Sequence, residues 1–121
     1  MADALKILGQ RTGEAAENVL YTVPENTQTT ISSIVICNRE SSDNTYRIAI
    51  RENGGGKADA TDTVTVAVTV DQWIAYDTKV WANTTSQIGA GITLNDNDDI
   101  VVYSSDANVS FSCYGVETTQ D

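Results

Sequence analysis

The side chains of this chain best placed to do chemistry lie in one short run, NDNDD at positions 95–99. Clustered carboxylate and amide oxygens suit a hard cation, so Asp96, Asp98 and Asp99 are candidate calcium ligands. The run does not fit a twelve-residue calcium loop. Counted from Asn95, the sixth position is Ile100 where glycine is needed, and Asp106 stands where a glutamate closes the loop. The preferred reading is a polar turn joining GITL (91–94) to IVVY (100–103), with Asp and Asn bonding the local backbone. A second candidate, NGGG at 53–56 followed by Lys57, lacks the spacing of a phosphate loop and no helix follows it, so it reads as a hairpin tip. The chain contains no histidine, which removes the commonest general base and the commonest metal ligand together. Cys37 and Cys113 have no metal or redox spacing and sit in strand-like runs, where a buried free thiol is the expected state. Paired carboxylates acting as acid and base belong in an aromatic-lined cleft on a larger scaffold. No enzymatic activity, metal or cofactor is expected.

Composition narrows the partners. At 121 residues the chain makes one domain with one core. Seventeen acidic residues against seven basic ones give a net charge of -10, which argues against nucleic acid and against an anionic membrane surface. All seven bases fall within the first 79 positions, so one acidic and one mixed face are a possible arrangement. The start, MADALKILGQ, does not read as a secretory signal, and no apolar run approaches membrane-spanning length, so synthesis and retention in a cytoplasm are expected. The sequons NTT (83–85) and NVS (108–110) carry weight only on a secretory route.

The elements that must position these residues are strands. QTTISSIVICN (28–38) and TYRIAIR (45–51) flank the turn-forming NRESSDN and read as a hairpin, with Tyr46, Ile48 and Ile50 inward and Arg47, Ala49 and Arg51 outward. WIAY (73–76), GITL (91–94), IVVYS (100–104) and NVSFSCYGV (108–116) follow, and segments 4–8 and 18–23 precede the only proline, Pro24. TGEAAENVL (12–20) is the nearest approach to a helical turn. Eight or nine short strands at this spacing predict an all-β antiparallel sandwich, jelly-roll or immunoglobulin-like.

With reactive groups absent, surfaces carry the candidate function. In DTVTVAVTV (62–70), Val64, Val66, Val68 and Val70 alternate with Thr and Ala, predicting a strand whose apolar face needs cover from a neighbour. Alternation places Trp73 with Ala75 on one face and Ile74 with Tyr76 on the other, so that most of the three aromatics Trp73, Tyr76 and Trp81 are expected in the core; an outward pair would make a docking patch. Arg47 and Arg51 form an outward row facing solvent or an acidic partner.

LYTVP (20–24), SSIVICNRESSDNTYRIAIR (32–51), YDT (76–78), GITL and DDIVVYSSDANVSFSCYGVE (98–117) together resemble a family of small virion structural proteins of tailed bacteriophages, notably phages of cyanobacteria and other aquatic bacteria. The likeness runs through nearly the whole chain except residues 53–72, which look like a hairpin insertion. The resemblance implies a non-enzymatic protein of the virion, made in the host cytoplasm. Its partners would be other virion proteins, the major capsid protein first, with self-assembly as a homo-oligomer such as a trimer. A capsid decoration or cement role is the leading expectation; a tail, baseplate or fibre component that contacts the host through Trp73 and Trp81 is the alternative, and a calcium- or carbohydrate-binding module is the remote one.

Overall fold

The computed structural model describes residues 5–52 and 68–119, the side chain of Ala90 excepted. These residues form eight strands: β1 Leu5–Thr12, β2 Asn18–Thr22, β3 Thr27–Asn38, β4 Asn44–Arg51, β5 Trp73–Val80, β6 Thr85–Leu94, β7 Asp99–Ser104 and β8 Val109–Thr119. They build two antiparallel four-stranded sheets, ordered β1-β8-β3-β6 and β2-β7-β4-β5. The expected sandwich is therefore present. Strand β1 pairs with β8, β2 with β7, β3 with β6 and β4 with β5, which is one long hairpin rolled over on itself. That order is a jelly roll.

The core between the sheets follows the apolar alternation. Ile31, Ile34 and Ile36 of β3 meet Ile48, Ile100, Val102 and Phe111, all fully buried or nearly so, and each such side chain contributes about 1.5–3 kcal/mol. Tyr46 packs edge-on against Phe111, with ring centroids 6.3 Å apart. Ile31 and Ile34 are three residues apart, which a regular strand would send to opposite faces. A shift of register between Ile31 and Ser33, in both ladders that β3 joins, turns them to the same side.

Three expectations need correction. The runs 28–38 and 45–51 are not a hairpin: β3 lies in one sheet and β4 in the other, and residues 39–43 cross between them. The crossing is held by Asn38, which is buried. Its Nδ2 donates to the carbonyls of Ser42, Val80 and Trp81, and its Oδ1 accepts from the Glu40 amide and Asn44 Nδ2. With these bonds the loop is satisfied without any β3 to β4 pairing. Segment 12–20 contains no helical turn; β1 ends at Thr12 and β2 begins at Asn18. In the valine ladder, Val64 and Val66 lie outside the described residues, whereas Val68 is not in a strand and Val70 opens a short 3-10 turn, Val70–Gln72. That turn is pinned locally: the Thr69 amide donates to Gln72 Oε1 and the Gln72 amide donates to the Thr69 carbonyl.

Sheet packing is close where β8 lies beside β3. A Cβ on Gly115 would come within 2.1 Å of the Thr30 carbonyl oxygen, so only glycine fits there without a backbone shift. Among the described residues, no helix is long and apolar enough to cross a membrane.

Candidate functional site

Strand β5 departs from the period of two, and the departure builds the one concentrated aromatic surface among the described residues. Tyr46 pairs with Thr78, Ile48 with Ala75, and Ala49 with Trp73, so β5 carries an extra residue at each of two register shifts. Asp77, at φ 49°, occupies the left-handed region at one of them. In consequence Ala75 packs on the core, while Trp73 and Tyr76 emerge together on the outer face of the sheet. The expectation that Trp73 and Tyr76 sit on opposite faces is overturned by these two bulges. Their rings meet edge to face, with centroids 5.2 Å apart and planes inclined at 71°.

Arg47 fixes the cluster from the neighbouring strand. Its guanidinium lies 4.2 Å from the Tyr76 ring centre and 4.3 Å from that of Tyr103, and Trp73 is 6.0 Å away. Nε donates to Asp77 Oδ1 at 2.6 Å and Nη2 donates to Oδ2 at 3.3 Å. Hydrogen bonding to Asp77 raises the already high pKa of Arg47, so the cation persists at every accessible pH. The side chain predicted to face solvent or an acidic partner is instead committed to its own sheet. Val70, Trp73 and Tyr76 line an open recess of about 350 Å³ beside this stack. Val70 and Tyr76 are 90% and 54% exposed, so the recess presents apolar carbon to solvent.

Arg51 requires a different correction. It shares the outward side with Arg47, as expected, yet only 4% of its side chain is exposed, and it binds Asp99, whose side chain is 1% exposed. Nε donates to Asp99 Oδ1 at 2.9 Å and Nη2 to Oδ2 at 2.7 Å, a bidentate pair between directly opposed residues of β4 and β7. The outer face of this sheet is itself covered: Val19, Ala49 and Val101 form a second buried cluster, with Val68 and Trp73 packed against it. Arg51 is therefore an internal strut and is withdrawn as an interface residue, and Val68 is spent on the same cover.

Trp81 is 60% exposed, with the Lys79 ammonium 4.5 Å from its ring centre. It stands beyond the far end of β5 from Trp73, and because of the two bulges β5 spans the five steps of β4 from Ala49 to Asn44, about 17 Å, so the two tryptophans do not form one patch. Its surroundings are rigid: the Ala82 amide donates to Asp43, the Asn83 amide to the Glu40 carbonyl, and Asn38 holds the Trp81 carbonyl. The expectation that most aromatics are core fails for Tyr76 and Trp81.

The acidic run 95–99 is a turn. Asn97 has φ 68°, the Asp98 amide donates to the Asn95 carbonyl, and Asp98 Oδ2 accepts from the Asn95 amide. Asp99 is buried against Arg51 on the outer face of its sheet, so the three carboxylates do not converge, and no metal-ligating cluster occurs among the described residues. The cysteines are free and on opposite faces of adjacent strands: Cys113 is buried in the core opposite Ile34, whereas Cys37, opposite Ser110, is half-buried on the outer face. Burial pushes the Cys113 thiol up to about 12. The uneven charge along the chain does not divide the surface, because strands from both halves of the chain share each sheet and Lys6 pairs with Glu117 across them.

No family model, curated protein or solved structure matches the chain. What the arrangement offers among the described residues is a rigid scaffold with, besides Trp81, two separate exposed apolar features. One is the recess at Trp73. The other is edge strand β1, where Leu5 and Ile7 are 68% and 57% exposed beside Val116 and Tyr114 of β8. Sequence reasoning missed the β1 feature, because Leu5, Ile7 and Leu8 look alike until the bulge after Ile7 sorts them.

Proposed function

We propose that the protein is a non-enzymatic structural component of a tailed-phage virion, a decoration protein that docks as a homo-oligomer, such as a trimer, onto the major capsid protein. The observation that carries this reading is the β1 edge. Leu5 and Ile7 form an exposed apolar stripe on an edge strand, a combination that invites pairing with another chain. The jelly roll behind it is rigid, and jelly rolls recur in viral capsid proteins, although a fold alone does not assign a role. Many copies docked at subunit junctions would add buried interface to the head and stabilise it by mass action. The net charge of -10 suits a solvated outer surface and disfavours packaged DNA as the partner.

Immunogold electron microscopy of purified virions tests the reading. Gold spread over the head, together with binding of recombinant protein to expanded heads and loss of that binding in Ile7→Asp, is the expected result. Gold confined to the tail, or failure to bind expanded heads, overturns it.

A second reading, a tail, baseplate or fibre component that contacts the host surface, is favoured by one observation, the open aromatic recess of Val70, Trp73 and Tyr76. Gold at the tail tip is the outcome that selects it.

A further inference from the structure

We propose that the recess formed by Val70, Trp73 and Tyr76, with the neighbouring Asp77 carboxylate as its acceptor, is a subsite for a neutral hexopyranose. The proposal deepens the host-contact reading, but it concerns the isolated protein and is tested without the particle. A pyranose presents an apolar face of C–H groups and a rim of hydroxyls. Its recognition needs a flat aromatic surface and one or two fixed hydrogen-bond acceptors.

The aromatic surface lines the recess, and the acceptor stands next to it: Asp77 follows Tyr76 in the chain and bonds the Arg47 guanidinium that stacks on the Tyr76 ring. Trp73 and Tyr76 meet at 71°, giving a wall and a floor, and the recess of about 350 Å³ lies within the range of small-ligand pockets. The aromatic pair is preorganised: Tyr76 is backed by the Arg47 guanidinium at 4.2 Å, and Trp73 is packed on the buried Val19, Ala49 and Val101. Little side-chain ordering would accompany binding. Asp77 engages Arg47 through one lone pair on each oxygen, and a carboxylate offers about four such positions, so acceptor capacity remains for sugar hydroxyls. Asp77 is 47% exposed in its side chain, and its left-handed backbone fixes its direction. The sugar is neutral on grounds of charge: among the described residues the one cation of the cluster is already paired, and a chain of net charge -10 repels anionic glycans.

The test uses methyl glycosides of glucose, galactose and mannose titrated into the full chain, followed by NMR of the two tryptophan indole N–H resonances. At least one glycoside is expected to shift the Trp73 resonance saturably, with a dissociation constant on the order of 1 mM, and to leave that of Trp81 in place. Tyr76→Ala abolishes the shift, Asp77→Asn weakens binding on the order of tenfold, and Trp81→Ala leaves it unchanged. Each variant is first checked for an otherwise native spectrum; Asp77→Asn keeps the stack and serves if Tyr76→Ala does not fold. No movement of the Trp73 signal at roughly tenfold above the expected constant overturns the proposal, as does a shift at Trp81 instead. A shift produced by a proline-rich peptide and by no glycoside also overturns it and reassigns the recess to extended peptide.

Discussion

Removing Asp99 tests whether the outer face of the β2-β7-β4-β5 sheet is a sealed layer. Arg51 and Asp99 are both nearly inaccessible to water, so Asp99→Ala removes a bidentate carboxylate from a buried guanidinium. Breaking a buried pair on one side costs about 3–5 kcal/mol. Unfolding entropy of about 2.1 cal/mol/K per residue, over 121 residues, amounts to about 0.25 kcal/mol per kelvin, so Tm should fall by about 12–20 °C. In a domain whose total stability is about 5–15 kcal/mol, such a loss is severe. The double replacement Arg51→Met with Asp99→Leu exchanges the pair for apolar volume, and buried pairs replaced in this way often lose little or nothing. It is expected to regain at least half of the loss. Urea unfolding followed by circular dichroism gives the four free energies of the cycle. A single variant that loses less than about 1 kcal/mol would behave as an exposed pair does and would refute the burial argument. So would a double variant no better than the worse single.

Two further predictions concern the other sheet. In the native protein one thiol per chain, Cys37, reacts with an aromatic disulfide reagent, and Cys113 reacts only after denaturation, because it lies in the core with its pKa raised to about 12; two native thiols would contradict this. Burial raises the proton affinity of Glu117, but the hydrogen bonds from Lys6 and Tyr21 outweigh it, and its pKa falls below the usual 4.5. The folded state therefore gains stability above that value and loses it as pH falls through the lowered one. Glu117→Gln should cost about 1–2 kcal/mol at pH 7, and the gap to the parent chain should narrow as pH falls through the lowered value; a gap constant with pH would refute the assignment.

How far the sequence spoke for the structure depended on whether a strand is buried on one side or two. Tyr46 and Ile48 alternate inward as expected. The alternation of TYRIAIR sends Ala49 and Arg51 outward, with Arg51 toward solvent or an acidic partner, whereas a second layer covers them. A signal existed. Ile100, Val101 and Val102 are consecutive and all buried, and Val19, Leu20 and Tyr21 repeat the pattern on the strand beside them. Unbroken apolar runs on neighbouring strands mark burial on both faces. The β5 bulges had no comparable signature, since Asp77 adopts φ 49° in a stretch that looks regular, and the aromatic recess depends on that residue. The turn at 95–99 was legible from its Asn and Asp content, although the burial of Asp99 against Arg51 was not.

The rolled-hairpin pairing also dictates how the chain must come together. Strand β8 sits between β1 and β3, so one sheet lacks a central member until the last of the eight strands has been made. Strand β1 therefore leaves the ribosome without its ladder partner and waits until β8 has been made. Its exposed Leu5 and Ile7 are available to other nascent copies throughout that interval. Loop closure over nearly the whole chain precedes the β1 to β8 pairing, which places folding on the slow, millisecond-to-second side for a domain of this size. Newly made copies of such a chain gain from a partner that captures the β1 edge early, and production at high concentration favours tangled assemblies over single folded chains.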